Sequence, residues 1–118
     1  MGAVAAGEVR AINALLAGVY VGLHTADPTA LNEIAGGGYT RQAYAYSLSG
    51  SEPTQAANNA LIQFPAATAD WGTITHFALW TASVGGSIVL TGALDDAKTI
   101  AIDDVFRFLA NALKVTVN

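Results

Sequence analysis

Few residues in this chain could do acid–base or metal chemistry. There are two histidines, His24 and His76, and no cysteine. Disulfides and thiolate metal sites are therefore excluded. A histidine metal site needs several ligands that converge. His24 with Asp27 is a weak pair, and no His-x-x-x-His accompanies it. A Ser-His-Asp set is defined by geometry rather than order. Here there is no G-x-S-x-G elbow, and no serine sits at a sharp strand-to-helix turn. The expectation is no catalytic residue, no metal and no cofactor, with each histidine on a strand, at a rim or hydrogen-bonded in the core.

Three further patterns suggest chemistry and have a structural reading beside it. Gly36-Gly37-Gly38 is not followed by Gly-Lys-Ser/Thr, so it fails as a phosphate loop. It reads as a sharp turn, or as backbone lying close against another surface. The pairs Asp95-Asp96 and Asp103-Asp104 could offer oxygens to calcium, but nothing resembles an EF-hand loop. Aspartate is a common turn residue, and both pairs are expected where strands reverse, as is Asp70. Trp71, Phe77, Trp80, Phe106 and Phe108 are expected to fill a core. A sugar-stacking platform is the alternative for these rings.

The elements that must position these residues are mostly strands. Val9, Ile12, Leu15 and Leu16 recur at helical spacing over 7–17, and Gly18 supplies a stop. Beyond it the period changes. Val19, Val21 and Leu23 alternate with Tyr20, Gly22 and His24, as in a half-buried strand. Asp27-Pro28 breaks that strand, and a loop runs to Gly38. Strands are expected over 41–48, 60–64, 73–81, 87–93, 98–102, 105–109 and 113–117. Gly85-Gly86 turns a hairpin between the 73–81 and 87–93 strands, Asp103-Asp104 turns the chain, and the last two strands pair. Asp70-Trp71-Gly72 looks like a tight entry into the 73–81 strand. The fold class is mainly β: an antiparallel sandwich or barrel of seven to eight short strands with one N-terminal helix, a single domain over 1–118.

Composition narrows the setting. Of 118 residues, 53% are hydrophobic and 12% charged, against about 25% charged in an ordinary soluble domain. Mean hydropathy is +0.41. No stretch approaches the roughly 18 apolar residues of a membrane helix. Such a surface suits a subunit covered by copies or partners, and closed symmetry, a ring or a trimer, is the usual arrangement. The alternative is a monomer with an Ala/Thr surface. The net charge of −4, with Arg10, Arg41, Lys98, Arg107 and Lys114 scattered along the chain, argues against nucleic acid. The first seven residues lack the basic region of a signal peptide.

Five segments in combination carry a family likeness: 19–28 (VYVGLHTADP), 36–42 (GGGYTRQ), 64–71 (FPAATADW), 72–77 (GTITHF) and 105–117 (VFRFLANALKVTV). Together they resemble small virion proteins of tailed bacteriophages, commonly labelled phage tail fibre proteins, over almost the whole chain from about residue 11. The resemblance implies a non-enzymatic structural component on the outer surface of the particle, made in the bacterial host cytoplasm and associated with the tail fibre or tail tip. A fibre shaft needs length or repeats, which this chain lacks, so a knob, tail-tip accessory or capsid decoration (cement) protein fits its size. A third reading is a tail module that binds or degrades polysaccharide; degradation usually needs paired carboxylates in a long groove. The implied partners are copies of itself, other virion proteins and, at most, a host-surface sugar, with no nucleic acid and no membrane.

The loop 25–38 is long for a domain of this size, and such loops are often functional. Asp27, Pro28, Leu31, Gly36, Gly37 and Gly38 are therefore the expected partner contact. A plain solvent-exposed connector is the alternative. The N-terminal helix is a second candidate.

Overall fold

Gly18 adopts a left-handed backbone (φ 68°) two residues after helical Leu16, and the chain leaves this turn as a strand. The structure is a computed structural model that describes residues 16–29, 31–49 and 54–117. The helix expected over 7–17 lies outside these residues except for Leu16 and Ala17. Nine strands follow: β1 Tyr20–His24, β2 Gln42–Ala43, β3 Tyr46–Ser49, β4 Thr54–Asn58, β5 Ile62–Gln63, β6 Gly72–Trp80, β7 Ile88–Ile100, β8 Arg107–Phe108 and β9 Lys114–Val117. They form three antiparallel sheets, ordered β2-β1-β6-β7, β3-β4-β9 and β5-β8. The mainly β, antiparallel class read from the sequence is the one observed.

The largest sheet is built on β1 and β6, paired from Tyr20↔Trp80 to His24↔His76. β1 is buried from Val21 to His24, not half-buried as its alternation suggests. Its second face is covered: a Cβ on Gly22 would sit 2.8 Å from both a Glu33 carboxylate oxygen and Trp80 Nε1. β6 and β7 form the expected hairpin, with Gly85 and Gly86 left-handed and Thr81 N donating to Ser87 O at 2.9 Å.

Four expectations about the strands are corrected. The 41–48 strand is two short strands in different sheets, divided where Tyr44 is buried and its hydroxyl donates to Leu113 O at 2.9 Å. The strands expected at 87–93 and 98–102 are one, β7, and Asp95-Asp96 lies within it instead of at a turn. The register explains how: Ile74 pairs Lys98 and His76 pairs Ala93, so residues 94–97 bulge opposite Thr75. β8 and β9 do not pair with each other; β8 pairs β5 and β9 pairs β4, a strand missed in the sequence. Asp103-Asp104 does turn the chain: Asp103 has φ 72°, and an Asp104 carboxylate oxygen accepts from Ala101 N at 2.9 Å. At Gly72 the left-handed φ of 87° makes the tight entry into β6, and Asp70 accepts from Ile102 N beside it.

One cluster of buried side chains runs beneath the sheets, with Phe64, Leu16, Leu23, Ile74 and Leu79 fully enclosed. Each contributes about 1.5–3 kcal/mol by leaving water. Trp71, Phe77, Trp80, Phe106 and Phe108 are all buried, as core aromatics should be. Phe106 meets both Phe64 and Phe108 edge-on. Asn58 is wholly buried and holds β4 to the segment before β9: its Nδ2 donates to Ala60 O and Leu109 O, and its Oδ1 accepts from Leu113 N.

Candidate functional site

The loop 25–38 does not simply project. It folds back along the end of β1: Thr25 N donates to Asn32 O, Ile34 N donates to Leu23 O, and Glu33 bridges His24. Asn32 staples the tip. Its Nδ2 donates to Asp27 O at 2.8 Å, and its Oδ1 accepts from Thr29 N at 2.9 Å.

Behind the tip lies a clamp centred on Glu33. Arg41 grips the carboxylate at both oxygens, Nε and Nη2 each at 2.8 Å. The same guanidinium donates to Ala82 O and Gly85 O in the β6–β7 turn and lies 3.8 Å from the centre of the Trp80 ring. Tyr39 donates its hydroxyl to Glu33 and accepts from Leu23 N. One ion pair thus ties the loop, the β2 edge and the hairpin turn to β1. Burial alone would raise the Glu33 carboxyl, but the hydrogen bonds from Arg41 and Tyr39 and the Arg41 charge outweigh it and hold the group below its ordinary value. Burial and the bond to Glu33 push the Tyr39 hydroxyl far up.

His24 completes the stack beneath Trp80, with ring centres 5.9 Å apart. Trp80 Nε1 can only donate, and it donates to His24 Nε2 at 3.3 Å. The proton of the neutral ring therefore sits on Nδ1 and is given to Asn32 Oδ1 at 2.8 Å. Burial lowers the His24 pKa below 6.5. Both ring nitrogens are engaged in hydrogen bonds, so this is a hydrogen-bonded core histidine. Among the described residues no group of three His, Asp or Glu side chains could hold a metal ion. No buried side-chain nitrogen or oxygen there lacks a partner. The arrangement ties the loop to β1 and to the β6–β7 turn.

Of the expected contact residues, Leu31 is 96% exposed, Asp27 is exposed and Pro28 half-exposed at the stapled tip. The glycine run is held elsewhere. Gly36, Gly37 and Gly38 are all left-handed (φ 72°, 61° and 80°), and Gly37 O accepts from Trp71 Nε1 and Thr68 N, each at 2.9 Å. A Cβ on Gly37 would lie 2.8 Å from Trp71 Nε1. The run is thus backbone close against another surface, one of its two expected readings, and its bonds differ from those of the tip.

A family model, podophage GP4 fiber I protein gp80, matches residues 9–116. The chain belongs to this family. It is accordingly a structural protein of the phage fibre type and a virion component. No curated protein matches the chain. The gp80-family match begins close to where the likeness read from the five sequence segments begins.

Glu33, Asn32 and Asn58, which shape this fibre-family protein most, carry no motif. One signal pointed to the clamp: Glu33 and Arg41 are the lone acid and base between Asp27 and Glu52. Oppositely charged residues that close in an otherwise uncharged stretch are candidates for each other.

Proposed function

We propose that this protein is a non-enzymatic component of the tail fibre or tail tip, on the outer surface of the phage particle, and that it acts by binding. The observation that supports this best is the loop tip. Asn32 and the Glu33–Arg41 clamp fix its backbone, while Leu31 stands almost fully in solvent. A loop fixed in advance loses little conformational freedom on binding. An apolar side chain held out by such a loop is a contact in waiting, with Asp27 and Pro28 beside it. The glycine run then serves the contact indirectly, by shaping the return of the loop.

The chain associates with copies of itself, as a ring or trimer, and with other virion proteins. Its low charge and high mean hydropathy support this. Native mass spectrometry of the purified chain is expected to give a closed oligomer; a monomer at micromolar concentration speaks against it. The binding role is tested by competition. Purified protein is expected to slow adsorption of the phage to host cells, and Leu31→Asp to abolish that effect without loss of folding. Undiminished competition by the Leu31→Asp protein would remove the loop tip from the contact.

A further inference from the structure

Three of the five cations that are scattered along the sequence come together in the fold. Arg41 is held in the clamp, whereas Lys98 of β7, Arg107 of β8 and Lys114 of β9 all line one groove of about 360 Å³. Each comes from a different sheet, so the groove lies where the three sheets meet. Its floor is apolar, with Phe77, Phe106 and Phe108 among its lining. Gly92 lets β7 come down onto Phe77, since a Cβ there would lie 2.6 Å from the ring. The bulge at 94–97 adds Asp95 and Asp96 to the same wall. Bulges often re-aim side chains beside functional sites.

All five charged side chains are exposed, and among the described residues none is in an ion pair. Lining one groove with no ion pair among the described residues, they set three cationic and two anionic groups around an apolar floor. Ligand pockets have this composition: mostly apolar, a few polar groups fixing orientation, volumes of about 300–1,000 Å³. A sugar ring has an apolar face for such a floor and hydroxyls that both donate and accept. Cations outnumber acids at the rim by three to two, which favours a ring carrying a negative group.

We infer that this groove binds an acidic saccharide, its carboxylate held by Lys98, Arg107 and Lys114 and its hydroxyls by Asp95 and Asp96. The inference rests on the proposed role as a surface binder and gives that role a ligand class. The test is a heteronuclear NMR titration of the full chain with digalacturonate, with neutral maltose and a triglutamate peptide as comparisons. Digalacturonate is expected to shift amides of 92–98, 106–108 and 112–114. The Lys98→Gln/Arg107→Gln double variant, altered only at exposed side chains, is expected to bind at least about tenfold more weakly. The Asp95→Asn/Asp96→Asn variant is expected to weaken binding as well. No shift in these segments, equal binding of maltose or of triglutamate, or unchanged affinity in both variants would each overturn the assignment. The adsorption assay separates this failure from failure of the broader role: if wild-type protein and groove variants compete equally well, surface binding stands and the groove does not carry it.

Discussion

Around Glu33, the polar side chains find one another: Arg41, Tyr39, His24, Asn32 and Trp80 are joined in one hydrogen-bonded stack and clamp. Under the β7 bulge, Asp95, Asp96, Lys98, Arg107 and Lys114 share a groove and pair with nothing among the described residues. Both regions gather charge onto a small area of a charge-poor chain. In the first, the charge fixes a loop; removing a member leaves its partner stranded in a half-buried place. In the second, no ion pair among the described residues ties the charge into the fold. The difference separates charged residues tied into the fold from charged residues that stand exposed around a groove.

The clamp is expected to be indispensable to the fold. Glu33→Ala leaves the Arg41 guanidinium, 8% exposed, without its carboxylate. It is expected to cost about 3 kcal/mol, read as a lowered urea midpoint. Asn58→Ala strips partners from Ala60 O, Leu109 O and Leu113 N. A loss of about 2 kcal/mol is expected in the same measurement.

Acidity sharpens the contrast further. The folded-state pKa of His24 lies below 6.5, so the unfolded chain takes up the proton first as pH falls. Stability is then lost from about pH 6.5 downward until the folded pKa is reached. Glu33, also depressed, contributes stability that is fully present above its ordinary 4.5 and lost as pH falls through its folded pKa. Thermal unfolding of wild type should therefore weaken in two stages. His24→Gln is expected to remove the first stage only. The smallest effect is expected in the groove: Lys98→Gln, Arg107→Gln and Lys114→Gln should each change stability by less than about 0.5 kcal/mol.

Much of the fold was legible because local chemistry announces it. Gly85-Gly86, Asp103 and Gly72 turn the chain where their residue types say they should, each with a left-handed backbone. The core aromatics were legible from their residue types, whereas the burial of His24 was not, because alternation in β1 read as a half-buried strand. What stayed hidden depends on distant residues. β5 meets β8 and β9 meets β4 across about 45 and 60 residues, and no period in either segment encodes its partner. Tyr44 sits in alternation with Tyr46 and Leu48, yet its hydroxyl bond to Leu113 O takes the chain out of one sheet and into another. Asp95-Asp96 carries the composition of a turn, but pairing on both flanks holds it in β7 as a bulge. The groove was illegible in the same way, because its cations are brought together only by the meeting of three sheets.

The role proposed for this fibre-family chain is that of a tail-associated binding subunit on the outside of the particle. Its most direct test is a density map of the intact virion, with copy number from quantitative gels of the same particles. The account predicts density for this chain at the tail fibre or tail tip, in few copies, with the loop tip at Leu31 or the β7 groove facing outward or against a neighbouring subunit. Density spread over the head lattice, with a count near that of the major capsid protein, would contradict it and make the chain a capsid decoration protein.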